Sequence, residues 1–254
     1  MKNKIIAILL VLSLVIFSFS LAGCKEKSAA ELFNSAVEKI DRLSSMELKL
    51  SMKVTAEIDG AVQTVPVDAL VKSKNMLGEN PIVYALVKTE MAGQKNQIES
   101  YLEGDWVYVV EGEDKYKIYA DGEGEAFDYI DELDDVLEEI PANAFSGATV
   151  KDNNDGSKTI TLTVTNNKFC EIYEDLVENF ASNGETLLEI TNNQIIVTVK
   201  NGYIQKYSVD FSFKEKGKSD KEKTDVSVSA EFVNVGKKPK ITPPEGYKNF
   251  EHKH

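Results

Sequence analysis

The chain has 254 residues, of which 42% are hydrophobic and 28% charged, with only 6 Pro and 15 Gly. That composition excludes a disordered, collagen-like or low-complexity protein and predicts a folded core. The 42 acidic residues outnumber the 29 basic ones, for a formal charge of −13, which argues against a nucleic-acid partner because such a partner needs a net basic footprint.

Lys2 and Lys4 precede an uncharged apolar run from Ile5 to Gly23, the pattern of an export signal. The run ends in Leu21-Ala22-Gly23-Cys24, which resembles the bacterial lipobox. That resemblance implies a diacylglyceryl group on the Cys24 thiol and cleavage just before it. A transmembrane helix needs a run of about this length too, but Cys24 at its end favours the signal peptide. The expected organisation is a signal peptide over 1–23, a lipidated tether over 24–28 and one domain over 29–250. Cleavage would remove two lysines and leave the body more acidic, so attachment would come from acyl chains and not from a basic patch. The expected location is the extracytoplasmic face of the cell membrane. Arg42 is the sole arginine among the 29 basic residues, a hint of an AT-rich, Gram-positive genome. With Cys24 acylated, Cys170 has no disulfide partner and reads as a small buried hydrophobe.

In chain order, Ala29 to Leu43 carries apolar residues at helical spacing, with Ser28 and Glu31 set for a capping box. From Met46 to Ile58 every even position is apolar and every odd one polar, which predicts one long strand with a single apolar face. Asp59-Gly60 signals a hairpin, and strands are expected over 62–73, 82–91, 95–102, 105–110 and 115–119. Pro66 cannot donate to a ladder, so it predicts an edge position or a bulge. A helix is expected over Glu125–Ile140, its acidic side a solvated face and not a calcium site. Asp152 to Gly156 reads as a turn into a strand over 159–165. A further helix is expected over Lys168–Ala181, then strands over 185–191, 194–200, 203–214 and 224–233, with a type I′ turn at Asn201-Gly202. Lys214 to Lys223 reads as a solvated, locally basic hairpin loop. The fold class expected is α+β, with short antiparallel connections and few helices.

The chain is poor in catalytic chemistry. Its histidines, His252 and His254, stand at the C-terminus, where fraying is the rule, and no nucleophile elbow, phosphate loop or zinc spacing is present. An enzyme is therefore not expected, and no cofactor or metal is implied. The order of lipobox, helix, long alternating strand, meander, helix-bearing middle and returning strands, closing on Ile241-Thr242-Pro243-Pro244-Glu245-Gly246-Tyr247, resembles the LolA-like lipoproteins, relatives of the periplasmic lipoprotein carrier and of mycobacterial lipid-carrying lipoproteins. What the resemblance implies is a strongly curved, half-open antiparallel β-barrel with helices across its mouth and a cavity for acyl chains. Its lining would come from Leu48, Leu50, Met52, Val54 and Ile58, from Trp106 and Tyr108, and from Phe127, Ile130, Leu133 and Leu137 of the middle helix.

Two functions fit this sequence. One is an anchored, non-enzymatic protein that binds a lipid or other hydrophobic ligand in the half-barrel. The other is a cell-envelope interaction or regulatory module with a filled core, which meets a protein partner through a sheet edge.

Overall fold

The first helix starts where its cap predicts. The Ser28 hydroxyl accepts from the Glu31 amide at 3.2 Å and the Glu31 carboxylate accepts from the Ser28 amide at 2.7 Å, so two amides that lack helical partners are satisfied. Helix α1, Ala29–Asp41, buries Phe33, Ala36, Val37 and Ile40 along one stripe. The computed structural model describes residues 27–58, 61–78, 80–91, 93–119, 144–172, 188–217, 219 and 222–253.

Twelve strands form one sheet: β1 Ser45–Ile58, β2 Ala61–Lys74, β3 Ile82–Met91, β4 Gln94–Glu103, β5 Trp106–Glu111, β6 Asp114–Tyr119, β7 Phe145–Asp152, β8 Lys158–Val164, β9 Leu188–Lys200, β10 Tyr203–Glu215, β11 Thr224–Val233 and β12 Glu251–His252. A short helix α2, Asn166–Ile172, lies between β8 and β9. The spatial order is β12-β6-β5-β4-β3-β2-β1-β11-β10-β9-β8-β7, and the sheet does not close. This is the expected α+β, half-open curved barrel. The long strand β1 sits at its centre, antiparallel to β2 on one side and to β11 on the other.

Several local expectations hold. Ile58 pairs with Ala61, so two residues separate β1 from β2 where the hairpin signal stands. Asn201 and Gly202 have φ of 55° and 79°, the left-handed pair that a type I′ turn requires. Pro66 keeps an unbroken register with β1, but β3 joins β2 only from Val67 onward. Pro66 is thus locally an edge residue, and no bulge is needed. The helix expected over Glu125–Ile140 and most of that over Lys168–Ala181 lie outside the described residues, as does the Cys170 side chain.

Three expectations are corrected. The strands expected over 185–191 and 194–200 form one strand, β9, with no turn at Asn192-Asn193. Asn193 is 4% exposed; its amide donates to the Val164 carbonyl at 2.9 Å and to Asn166 at 3.0 Å, and its carbonyl accepts from the Val164 amide at 3.0 Å. The side chain stands in for backbone pairing where β8 diverges from β9, whose pairing ends at Leu162 and Ile195. Asn193→Ala would orphan both Val164 groups and should cost about 2 kcal/mol, measurable as a lower urea midpoint at unchanged slope. Strand β7 was not expected at all. Finally, the C-terminus is not frayed at His252: Glu251 and His252 pair in parallel with Tyr116 and Lys117 of β6. His254 lies outside the described residues.

Candidate hydrophobic ligand site

Directly opposed residues in an antiparallel ladder share a face, so the registers define the two surfaces of the sheet. The inward face collects the even residues of β1, the odd residues of β2 and β3 from Val65 to Val87, the odd residues of β10 from Tyr207 to Phe213 and those of β9 from Asn193 to Val199, with Ile204 and Ile190 brought to the same face by two register shifts. On the β8 to β11 side this face is closed. Phe33 of α1 is fully buried and stacks on Tyr207 with centroids 6.3 Å apart. Phe169 of α2 meets Phe211 at 5.2 Å, and Ile195, Val197, Val209, Val226 and Val228 are buried around them. This half is a filled core.

The β1 to β4 side differs along its length. Near the start of β1 a transverse layer is sealed, with Leu48 at 3%, Val71 at 7%, Val83 at 4% and Leu102 at 5% exposure. Farther along the same strands, Leu50, Met52, Val54, Val65, Val67 and Val87 are only half-buried, and Ile98 is 36% exposed. The apolar wall therefore continues beyond the layer that closes it. Of the residues singled out by sequence, Leu48, Leu50, Met52 and Val54 lie together on this wall, Leu48 in its sealed part. The side chain of Ile58 and all of Phe127, Ile130, Leu133 and Leu137 lie outside the described residues. The β2 and β3 members, Val65, Val67 and Val87, were missed, although the alternation Val65, Val67, Ala69, Val71 carried the signal.

Trp106 and Tyr108 do not join this wall. Their neighbours Val107 and Val109 face inward, so the period of two turns Trp106 and Tyr108 to the opposite surface. There the segment after β11 crosses the sheet. Tyr247 meets Tyr108 at 4.8 Å and Tyr101 at 5.2 Å, both edge-on, and its hydroxyl donates to Glu103 at 2.8 Å. Phe250 packs on Tyr108 at 6.2 Å, and His252 and Tyr119 each meet Trp106 edge-on. The Lys117 ammonium lies 4.8 Å from the Trp106 ring centroid. These aromatics seal the C-terminal segment to the back of the sheet.

Burial, with Glu99 beside it, pushes the Tyr84 phenol up to about 12. Burial and Glu103 raise Tyr101 and Tyr108, and the hydrogen bond to Glu103, then burial, raises Tyr247. A phenol whose folded pKa lies above its unfolded value favours the folded state at neutral pH, and the advantage fades as pH rises beyond about 10, the ordinary tyrosine value. Thermal stability should therefore be flat from neutral pH to about 9 and fall between about 10 and 12, tracked by melting temperature and tyrosinate absorbance. A protein equally stable across that window would contradict the placement of these phenols.

A concavity of about 640 Å³ lies on the back of the sheet. Its floor is the cross-strand row Ser51, Ser229, Ser208, short side chains set between Lys49, Lys206 and Leu86. The hollow arises from that size difference. Its walls are mostly apolar, from Leu70, Leu86 and Ile196, while its lysines, Asp68 and Glu231 are exposed and form a charged rim.

Asp152 to Gly156 forms the expected turn into β8. Both Asp155 oxygens are engaged, one by the Ser157 amide and hydroxyl at 3.1 and 2.6 Å, the other by Lys200 at 3.1 Å. These partners hold the carboxyl well below the usual range. Among the described residues no group of three or more His, Cys, Asp or Glu is placed to hold a metal, and no helix is long and apolar enough to cross a membrane. In the basic loop, Lys223 pairs with Asp225 at 3.0 Å and Lys214 approaches Glu189 at 4.0 Å.

A family model described as a family of unknown function, DUF6612, matches residues 28–250. A search of curated proteins returns no significant match. Among solved structures, the chain is similar to LprF from Mycobacterium bovis, with 13% identity over 86% of this chain and 97% of that one and a TM-score of 0.46. It is similar also to the LolA superfamily protein NE2245 from Nitrosomonas europaea, with 13% identity over 87% of this chain and 97% of that one and a TM-score of 0.26. A DUF1329 family protein from Desulfovibrio piger matches with 9% identity over 84% and 93% of the two chains and a TM-score of 0.29.

Proposed function

The chain belongs to the DUF6612 family, whose function is unknown, and from its geometry we propose a non-enzymatic, membrane-anchored lipoprotein that binds a lipid or other hydrophobic ligand against the inward wall of β1 to β4. The observation that carries this reading is the run of half-buried apolar residues, Leu50, Met52, Val54, Val65 and Val67, continuing past the sealed layer at Leu48. A ligand burying about 300 Å² of apolar surface there would gain ~7 kcal/mol before the costs of association. A neutral solvatochromic dye added to the domain should shift its emission to the blue, and Met52→Glu should abolish most of that shift while Lys53→Glu on the outward face keeps it. A shift equal in both variants would place the dye elsewhere.

The anchor in this proposal is the Cys24 thiol, and the location is the outer face of the cell membrane. Cys24→Ala should end labelling by a radioactive fatty acid and leave uncleaved precursor; normal labelling of that variant would refute the lipobox. A second reading, strand addition by an envelope protein, draws on β7: residues 146–152 are all exposed, and among the described residues β7 pairs with β8 alone. Exposed edges accept strands readily.

A further inference from the structure

From β1 to β4 the inward positions hold apolar, hydroxyl or amide side chains only, while Glu47, Lys49, Lys53, Asp68, Lys88 and Glu99 all occupy outward positions. This segregation persists where it is not demanded by a sealed core. Val54, Val65 and Val67 are half-buried, and a wall bathed in water would tolerate Lys or Glu at such sites at little cost. The polar inward residues nearest the apolar wall are uncharged too: Thr89 and Asn96 face each other across β3 and β4. On the next strand Glu111 stands opposite Ile98, so the first ionisable neighbour is an acid. The chain as a whole carries −13.

We infer that the ligand is an amphiphile with an uncharged head, its apolar chains lying on Leu50, Met52, Val67 and Val87 and its hydroxyl or amide groups near Thr89 and Asn96. The inference rests on the ligand reading above and sharpens it. An anionic head placed at this exposed end of β3 and β4 would stand beside Glu111 within an acidic body, and Lys253, on the same face, is already held over the Tyr116 ring at 4.2 Å. Thr89 and Asn96 can both donate and accept, which suits hydroxyls and esters better than an ammonium group.

The test is competition on the purified full chain in a mild nonionic detergent. Three lipids with the same two acyl chains are supplied in equal amounts: a diacylglycerol, a phosphatidylglycerol and a cationic trimethylammonium analogue. The retained lipids are then counted by mass spectrometry. Diacylglycerol should be retained over phosphatidylglycerol by about tenfold, the ratio that ~1.4 kcal/mol of charge repulsion gives, and over the cationic analogue, whose head has no hydroxyl for Thr89 or Asn96, by a smaller factor. Equal retention of the three, or a preference for either charged lipid, would overturn the inference while leaving the ligand reading intact. Retention of none would overturn the ligand reading and the inference with it. As a second arm, Val67→Lys on the wall should raise the share of phosphatidylglycerol, whereas Leu70→Lys on the outward face should not; an identical response in both would contradict the placement of the head.

Discussion

Phe33→Ala should destabilise the protein by about 3–5 kcal/mol. Phe33 is fully buried between α1 and the sheet and stacks on Tyr207, and no described neighbour is free to fill the space, since Val37, Tyr207 and Val209 are themselves buried and packed. The loss combines the transfer of the ring with the cavity it leaves. As a domain of this size is stable by about 5–15 kcal/mol, much of its margin would go. Glu38→Ala on the exposed side of the same helix removes only a surface ion pair with Arg42 and should shift stability by less than about 1 kcal/mol. Chemical denaturation of the two variants measures both. A Phe33→Ala protein as stable as wild type would mean that α1 is not what closes the β8 to β11 half.

Leu48→Asp should be at least as damaging, at about 4 kcal/mol or more, because it places an unpaired carboxylate in a sealed apolar layer. Leu48 is 3% exposed and is flanked by Val71 and Phe232 across the neighbouring strands. Lys49→Asp, one residue on, faces water opposite Glu231 and Leu70, and the new like-charge pair should cost less than about 1 kcal/mol. Melting temperatures that fall equally in the two variants would contradict the assignment of faces, since a strand slipped by one residue exchanges them all.

The central strand was the most legible part of the chain. Thirteen residues of strict alternation can satisfy only a one-sided strand, and β1 spans Ser45–Ile58 as a result. The turns were legible for a different reason, since Asn201-Gly202 needs positive φ at both positions and few other pairs supply it. Strand β7 was not legible because it lies at an edge with residues 146–152 exposed: a strand that buries neither face has no alternation to show. The single strand β9 was hidden by Asn192-Asn193, which resembles a turn in sequence. The partner of Asn193 is the end of β8, 29 residues away, and no local pattern reports such a contact.

The wall itself was half legible. Leu48 to Val54 announce their face by period, but Trp106 and Tyr108 are placed in the cavity by family resemblance alone. Their own neighbours say otherwise, for the alternation Trp106, Tyr108, Val110 against Val107, Val109 leaves two apolar faces on β5. Period alone cannot choose between such faces. The choice is made by the C-terminal segment, whose Tyr247 and Phe250 cover one of them.

The most direct test of the ligand-binding proposal is native mass spectrometry of residues 27–254, expressed without the anchor, with extraction and identification of whatever is bound. The wild-type domain should carry a reproducible added mass of lipid size, lost in Met52→Glu with the fold intact. A clean unliganded mass that persists after incubation with membrane lipids would contradict it, and the exposed edge of β7 would then be the surface on which to seek a partner.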